Sequence, residues 1–150
     1  MTKLGIITKL KQEKALLEAV ENGNTDLVIE LLQANINIET TDNRAKTSLM
    51  IAAQFGRTNI VDILLKKGAK TRVISKKGWT PFTLAVCVGP PNVDTIVALL
   101  DHGVDLEFGH NGVTALLVAA RGGNFSIRKM LLGKGANQEA SSKTNAWASL

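Results

Sequence analysis

The sequence predicts an all-α repeat solenoid, built from stacked helix-turn-helix-hairpin units, and three observations carry that expectation. The first is a period. Thr47, Thr80 and Thr114 are 33 and 34 residues apart, and Gly68, Gly103 and Gly135 are 35 and 32 apart. Self-similarity at this spacing marks units that bury their apolar faces against one another. The second is a recurring stripe such as Ile60, Val61, Leu64 and Leu65, one face of a helix. The third is the set of exits Gly68-Ala69, Gly103-Val104-Asp105 and Gly135-Ala136-Asn137. They disfavour a 34-residue repeat made only of two longer helices.

Taken in order, residues 1–13 form either a short helix, with Leu4, Ile6, Ile7 and Leu10 on one face, or an unstructured lead-in. The first unit, about residues 10–41, follows with the helix ALLEAV (15–20), a stop at Gly23 and a second helix TDLVIELLQ (25–33). Asn35 stands where the other units place Gly, as the next-best residue for a left-handed exit. The second unit, about 42–74, is the most regular. Thr47 caps its first helix, Ala52 and Ala53 permit close helix approach, Gly56 ends that helix, and Lys66 and Lys67 sit where the helix dipole favours cations.

The third unit, about 75–109, opens with KKGWTPFTLAV, in which Thr80-Pro81 is a cap followed by a first-turn proline. Pro90-Pro91 lengthen its inter-helix loop, and a second helix follows over 93–103. The fourth unit, about 110–141, has one residue fewer before Thr114, which predicts a tighter hairpin near His110. Residues 142–150 read as the truncated start of a fifth unit, Trp147 aligning with Trp79.

Composition agrees. The chain of 150 residues is 45% hydrophobic and 21% charged, values of a globular protein, and only 4% aromatic, so Leu, Ile, Val and Ala must build the core. The net charge of +5 favours an acidic partner. There are no long Lys/Arg runs, which argues against nucleic acid, and no apolar run long enough to insert in a membrane. Cys87 is the single cysteine, so no internal disulfide can form. The expected location is the cytoplasm and the expected state a monomer.

The motifs Gly78-Trp79-Thr80-Pro81-Phe82, Thr47-Ser48-Leu49 and Thr114-Ala115-Leu116, with the pairs Ala52-Ala53 and Ala119-Ala120 and the Gly exits, resemble the ankyrin repeat family over about residues 14–141. The resemblance implies L-shaped units, each with two helices and a projecting hairpin, stacked into a curved array. The family's histidine two residues after its proline is replaced by Leu17, Met50, Thr83 and Leu117. In the family that histidine helps fix successive hairpins. Its loss leaves an array expected to be less rigid and compensated by apolar packing alone.

Chemistry of catalysis is not legible. His102, His110 and Cys87 have no metal-ligand spacing, and Cys87, at the end of an apolar helix, reads as a small packing residue. Gly133-Lys134-Gly135 lacks the Ser/Thr and the preceding strand of a phosphate loop. No cofactor is expected. The resemblance instead implies a concave face of hairpin tips and inner helices. Its candidate partner-binding residues are Arg44, Lys46, Gln54, Phe55, Lys76, Lys77, Trp79, Val88 and Arg121, with Asn43, Cys87, Asn111 and Val113 nearby.

The basic tips are either solvated charges of no consequence or a strip anchored by Trp79 and Phe55, the residue types that dominate interface energetics. Trp79 itself is either such an anchor or a hairpin-to-hairpin packing residue. The expected function is a non-enzymatic protein-interaction module or scaffold, holding an acidic or amphipathic segment of another protein. The alternative is a structural spacer inside a larger repeat protein.

Overall fold

The computed structural model describes residues 3–87 and 92–138. Val88, Gly89, Pro90-Pro91 and the expected start of a fifth unit, including Trp147, lie outside the described residues. Eight α-helices run in pairs through the described chain: α1 (Lys3–Asn22) with α2 (Thr25–Gln33), α3 (Ser48–Gln54) with α4 (Thr58–Lys66), α5 (Pro81–Cys87) with α6 (Val93–Asp101), and α7 (Ala115–Arg121) with α8 (Phe125–Gly133). The first members pack α1 on α3, α3 on α5 and α5 on α7, giving an inner row; α2, α4 and α6 follow one another in an outer row. This is the expected solenoid.

The core lies between the rows. Leu16, Leu49, Leu64, Leu99 and Leu131 are completely or almost completely buried, and every residue from Ser48 to Ala53 is withdrawn from water. Ala52, Ala53 and Ala119 are buried, as close inner-row packing requires, whereas Ala120 is exposed. The lead-in is helical from Lys3 and runs without interruption into ALLEAV. The inner helix of the first unit is thus 20 residues long against seven in the other three.

The ends obey local chemistry. Thr47, Thr80 and Thr114 each accept an N–H from three residues on, and Asn24, Asn92 and Asn124 do so for α2, α6 and α8. Thr80 goes further. Its hydroxyl accepts the Thr83 N–H at 3.0 Å, and the Thr83 hydroxyl accepts the Thr80 N–H at 2.8 Å. This is a capping box closed by threonine instead of glutamate. Apolar packing alone therefore does not replace the missing histidine in this unit, because Thr83 supplies a polar substitute that Met50 and Leu117 cannot.

Neighbouring units are also stitched by polar contacts. The Arg57 guanidinium donates to the Glu21 carbonyl oxygen (2.7 and 3.2 Å), and Asn92 Nδ2 donates to the Gly56 carbonyl at 3.0 Å. Gly56, at φ 67°, makes the second of these possible, since a Cβ there would collide with the Asn92 amide. Further along, Glu39 accepts the Lys70 N–H at 2.9 Å and Glu107 accepts the Asn137 N–H at 2.7 Å. Between them, Arg72 occupies the corresponding place and pairs with Asp105 at 2.7 Å, its guanidinium lying over the Phe108 ring. The contact keeps its position along the array while its chemistry changes.

The hairpins are tight turns; among the described residues the strand pairing is an isolated bridge between Thr41 and Thr47. Asp42 accepts the N–H groups of Arg44 and Lys46, and Ser75 accepts that of Trp79. The Lys76 N–H donates to the Arg44 carbonyl at 3.0 Å, joining one tip to the next. The shortened fourth hairpin closes as a 3-10 turn, His110–Gly112, with Asn111 and Gly112 both left-handed. Asn35 is left-handed at φ 58°, as its exit role requires.

Ala45 is left-handed too, at φ 58°, where the third and fourth tips have Gly78 and Gly112. An alanine there carries a cost of about 1–2 kcal/mol that glycine avoids. Ala45→Gly is expected to stabilise the protein by about 0.5–1 kcal/mol after the greater freedom of the unfolded glycine is offset, as read by urea denaturation. An unchanged or lower midpoint would contradict the strain. Thr83→Val, which keeps the shape and removes the acceptor, should cost about 1–3 kcal/mol, while Thr83→Ser should recover most of it.

A candidate partner-binding face

A groove of about 370 Å³ lies between the inner helices α5 and α7, lined by Trp79, Val86, Cys87, Val118, Ala119, Arg121, Gly122 and Asn124. A second hollow, of about 230 Å³, lies between the third and fourth hairpin tips and is lined by Lys76, Lys77, Gly78, Trp79, His110, Asn111 and Val113. Trp79 belongs to both. Its backbone is fixed by Ser75, whose hydroxyl accepts the Trp79 N–H at 3.1 Å and whose own N–H donates to the Trp79 carbonyl at 2.9 Å. The side chain is half-buried, one part packed on the core and another facing the two cavities. Packing and exposure are thus two sides of one indole.

Four of the sequence-derived candidates converge here: Lys76, Lys77, Trp79 and Arg121. Lys76, Lys77 and Arg121 are exposed, and neither cavity has a carboxylate in its wall. Lys46 and Gln54 form a separate pair, the ammonium donating to the side-chain oxygen of Gln54. Lys46 is therefore anchored on α3 rather than free at the tip. Arg44 and Phe55 are exposed but line neither cavity, and Val88 lies outside the described residues.

Cys87 is on the surface and not a packed core residue. The groove wall still desolvates its sulfur. Burial pushes the thiol pKa up, and the Lys46 charge only partly opposes this. The result is a thiol with less thiolate at neutral pH than an ordinary cysteine, poorly suited to nucleophilic work. Among the described residues no group of three or more His, Cys, Asp or Glu side chains is placed to hold a metal ion, and no helix is long and apolar enough to cross a membrane.

Sequence reasoning missed His110 and Asn124 as lining residues. His110 is drawn in because Gly78 has no side chain: a Cβ there would meet the imidazole at 2.7 Å. Asn124, the α8 cap, arrives at the groove only through the turn after α7. A third cavity, of about 440 Å³, was not foreseen at all. It lies between the long helix α1 and the second hairpin, with Leu10, Leu17 and Ile51 as its apolar lining. Glu13, Glu18, Glu21 and Asp42 surround it, against the single ammonium of Lys14.

Comparison with known proteins follows the same lines. A family model described as ankyrin repeats (three copies) matches residues 2–75 and 69–142. The chain is 34% identical over 139 residues to the ankyrin repeat and KH domain-containing protein mask-1 of Caenorhabditis elegans, an alignment covering 87% of this chain and 5% of the relative. It is 39% identical over 75 residues to human 2-5A-dependent ribonuclease, covering 49% of this chain and 10% of that protein. It is 33% identical over 117 residues to human transient receptor potential cation channel subfamily A member 1, covering 76% and 10% respectively. The chain thus spans a tenth or less of the length of these three relatives. The family match over nearly the whole sequence, together with the paired helices, the left-handed exits and the stitched hairpin tips, shows that this chain belongs to the ankyrin repeat family.

Proposed function

We propose that this protein is a non-enzymatic interaction module that holds an acidic, partly apolar segment of another protein against the face around Trp79. Ankyrin repeats generally mediate protein–protein interaction. The observation that carries the finer reading is the position of Trp79 as the shared wall of two cavities rimmed by Lys76, Lys77 and Arg121. An indole held by its backbone and packed on one side loses little entropy on contact, which favours it as an anchor. The surrounding cations then act mainly on encounter rate and choice of partner. The single cysteine cannot form an internal disulfide, which suits a reducing compartment, and we place the protein in the cytoplasm.

A second reading is a spacer within a longer repeat protein, favoured by the small share of each relative that this chain covers. On that reading Trp79 serves packing alone.

The two readings separate on titration with a short synthetic peptide carrying Glu and Asp around a Leu or Phe. Trp79→Ala is expected to weaken binding by about tenfold or more, corresponding to roughly 1.4 kcal/mol or above. Lys76→Glu with Lys77→Glu should slow association and flatten its salt dependence. If the peptide binds wild type and both variants equally, this face is not the site and the spacer reading stands.

A further inference from the structure

We propose that the inner face is electrically bipolar along its length and is built for a segment whose basic part docks on α1 while its acidic part docks beside α5 and α7. The inference rests on the binding reading above. It adds that the first unit takes part in recognition and fixes the direction of the bound segment.

The cause lies in the length of α1. In the other units a hairpin precedes a seven-residue inner helix; α1 is continuous from Lys3. Its residues at positions 10, 13, 14, 17, 18 and 21 fall on one helical face and form a wall opposite the second hairpin tip. The groove between them has an apolar lining of Leu10, Leu17 and Ile51, of which Leu10 is 59% exposed. The rim is acidic through Glu13, Glu18 and Glu21. Two inner helices further on, the rim is basic.

An apolar lining with a rim predominantly of one sign, four carboxylates against Lys14 at the α1 groove, fits an amphipathic segment of the opposite sign. The two grooves lie along one row of inner helices, in the order α1, α3, α5, α7. Two inter-helix steps of about 10 Å each place them about 20 Å apart, the length of about six residues of extended chain. A purely acidic segment long enough to pass both grooves would meet like charge at α1. A bipolar one would be attracted at both ends.

The test uses the full 150-residue chain and synthetic peptides followed by fluorescence polarisation. Two bipolar peptides carry a Lys/Arg block and a Glu/Asp block, six uncharged residues apart, in opposite orders; a third keeps the acidic block and replaces the basic one with Ser and Gly. One block order is expected to bind at least about fivefold tighter than the acidic-only peptide, the gain of two or so rim ion pairs. Glu18→Lys with Glu21→Lys should abolish that advantage and leave the acidic-only affinity equal or higher. Glu18→Gln with Glu21→Gln, a gentler change, should remove about half of it.

Equal binding of the bipolar and acidic-only peptides, or an advantage insensitive to both Glu variants, overturns the bipolar inference while binding at Trp79 stands. If no peptide responds to Trp79→Ala or to the Lys76/Lys77 reversal, the binding reading itself falls, and the inference with it.

Discussion

A helix of seven residues has almost no stability of its own in water, because the cost of nucleating it is barely recovered over two turns. Three of the four inner helices are of this length, so each exists only through what it packs against. The near-complete burial of Ser48 through Ala53, and of Ala115 through Ala119, is the physical condition for those segments to be helical at all. The rest of the architecture serves that burial. Small residues let the inner row close up, and apolar stripes on α2, α4, α6 and α8 cover it from the other side.

Apolar burial has no register by itself, since Leu and Val slide past one another with little penalty. Directional contacts between units supply it. Arg57 and Asn92 reach back to carbonyl groups exposed at the preceding helix stop, and Glu39, Arg72 and Glu107 bridge forward to the next exit. Individually such exposed bonds contribute little. Their repetition at fixed places sets where each unit sits on its neighbour. A cationic residue serving in one place where carboxylates serve in two others shows that position, not residue type, is what the array requires.

The face that results is uneven because its building blocks are. A cap-forming threonine pair stiffens the start of α5, next to the tryptophan that two cavities share. A long first helix walls off an acidic hollow at one end, and lysines rim a basic one at the other. The regular unit built on α3 and α4 makes the fold intelligible, and the departures from it give the surface its character. Cys87 illustrates the same point in reverse. Position at a helix end brought it to the surface, while the adjoining wall still desolvates its sulfur and pushes the thiol pKa up.

The chain by itself determined the period, the pairing of helices, the caps at Thr47, Thr80 and Thr114, and the left-handed exits, including the one at Asn35. All of these depend on interactions spanning at most four or five residues, or on a repeat visible to inspection. The left-handed Ala45 was hidden because nothing in an alanine announces such a backbone. Likewise the reciprocal bond of Thr83 was hidden behind a missing histidine. Cavities are set by the separation of elements more than 30 residues apart, so Trp79 could be suspected but not placed, and His110, Asn124 and the α1 groove were out of reach. Which charges face the same space is a property of stacking, and only the tertiary structure decided it.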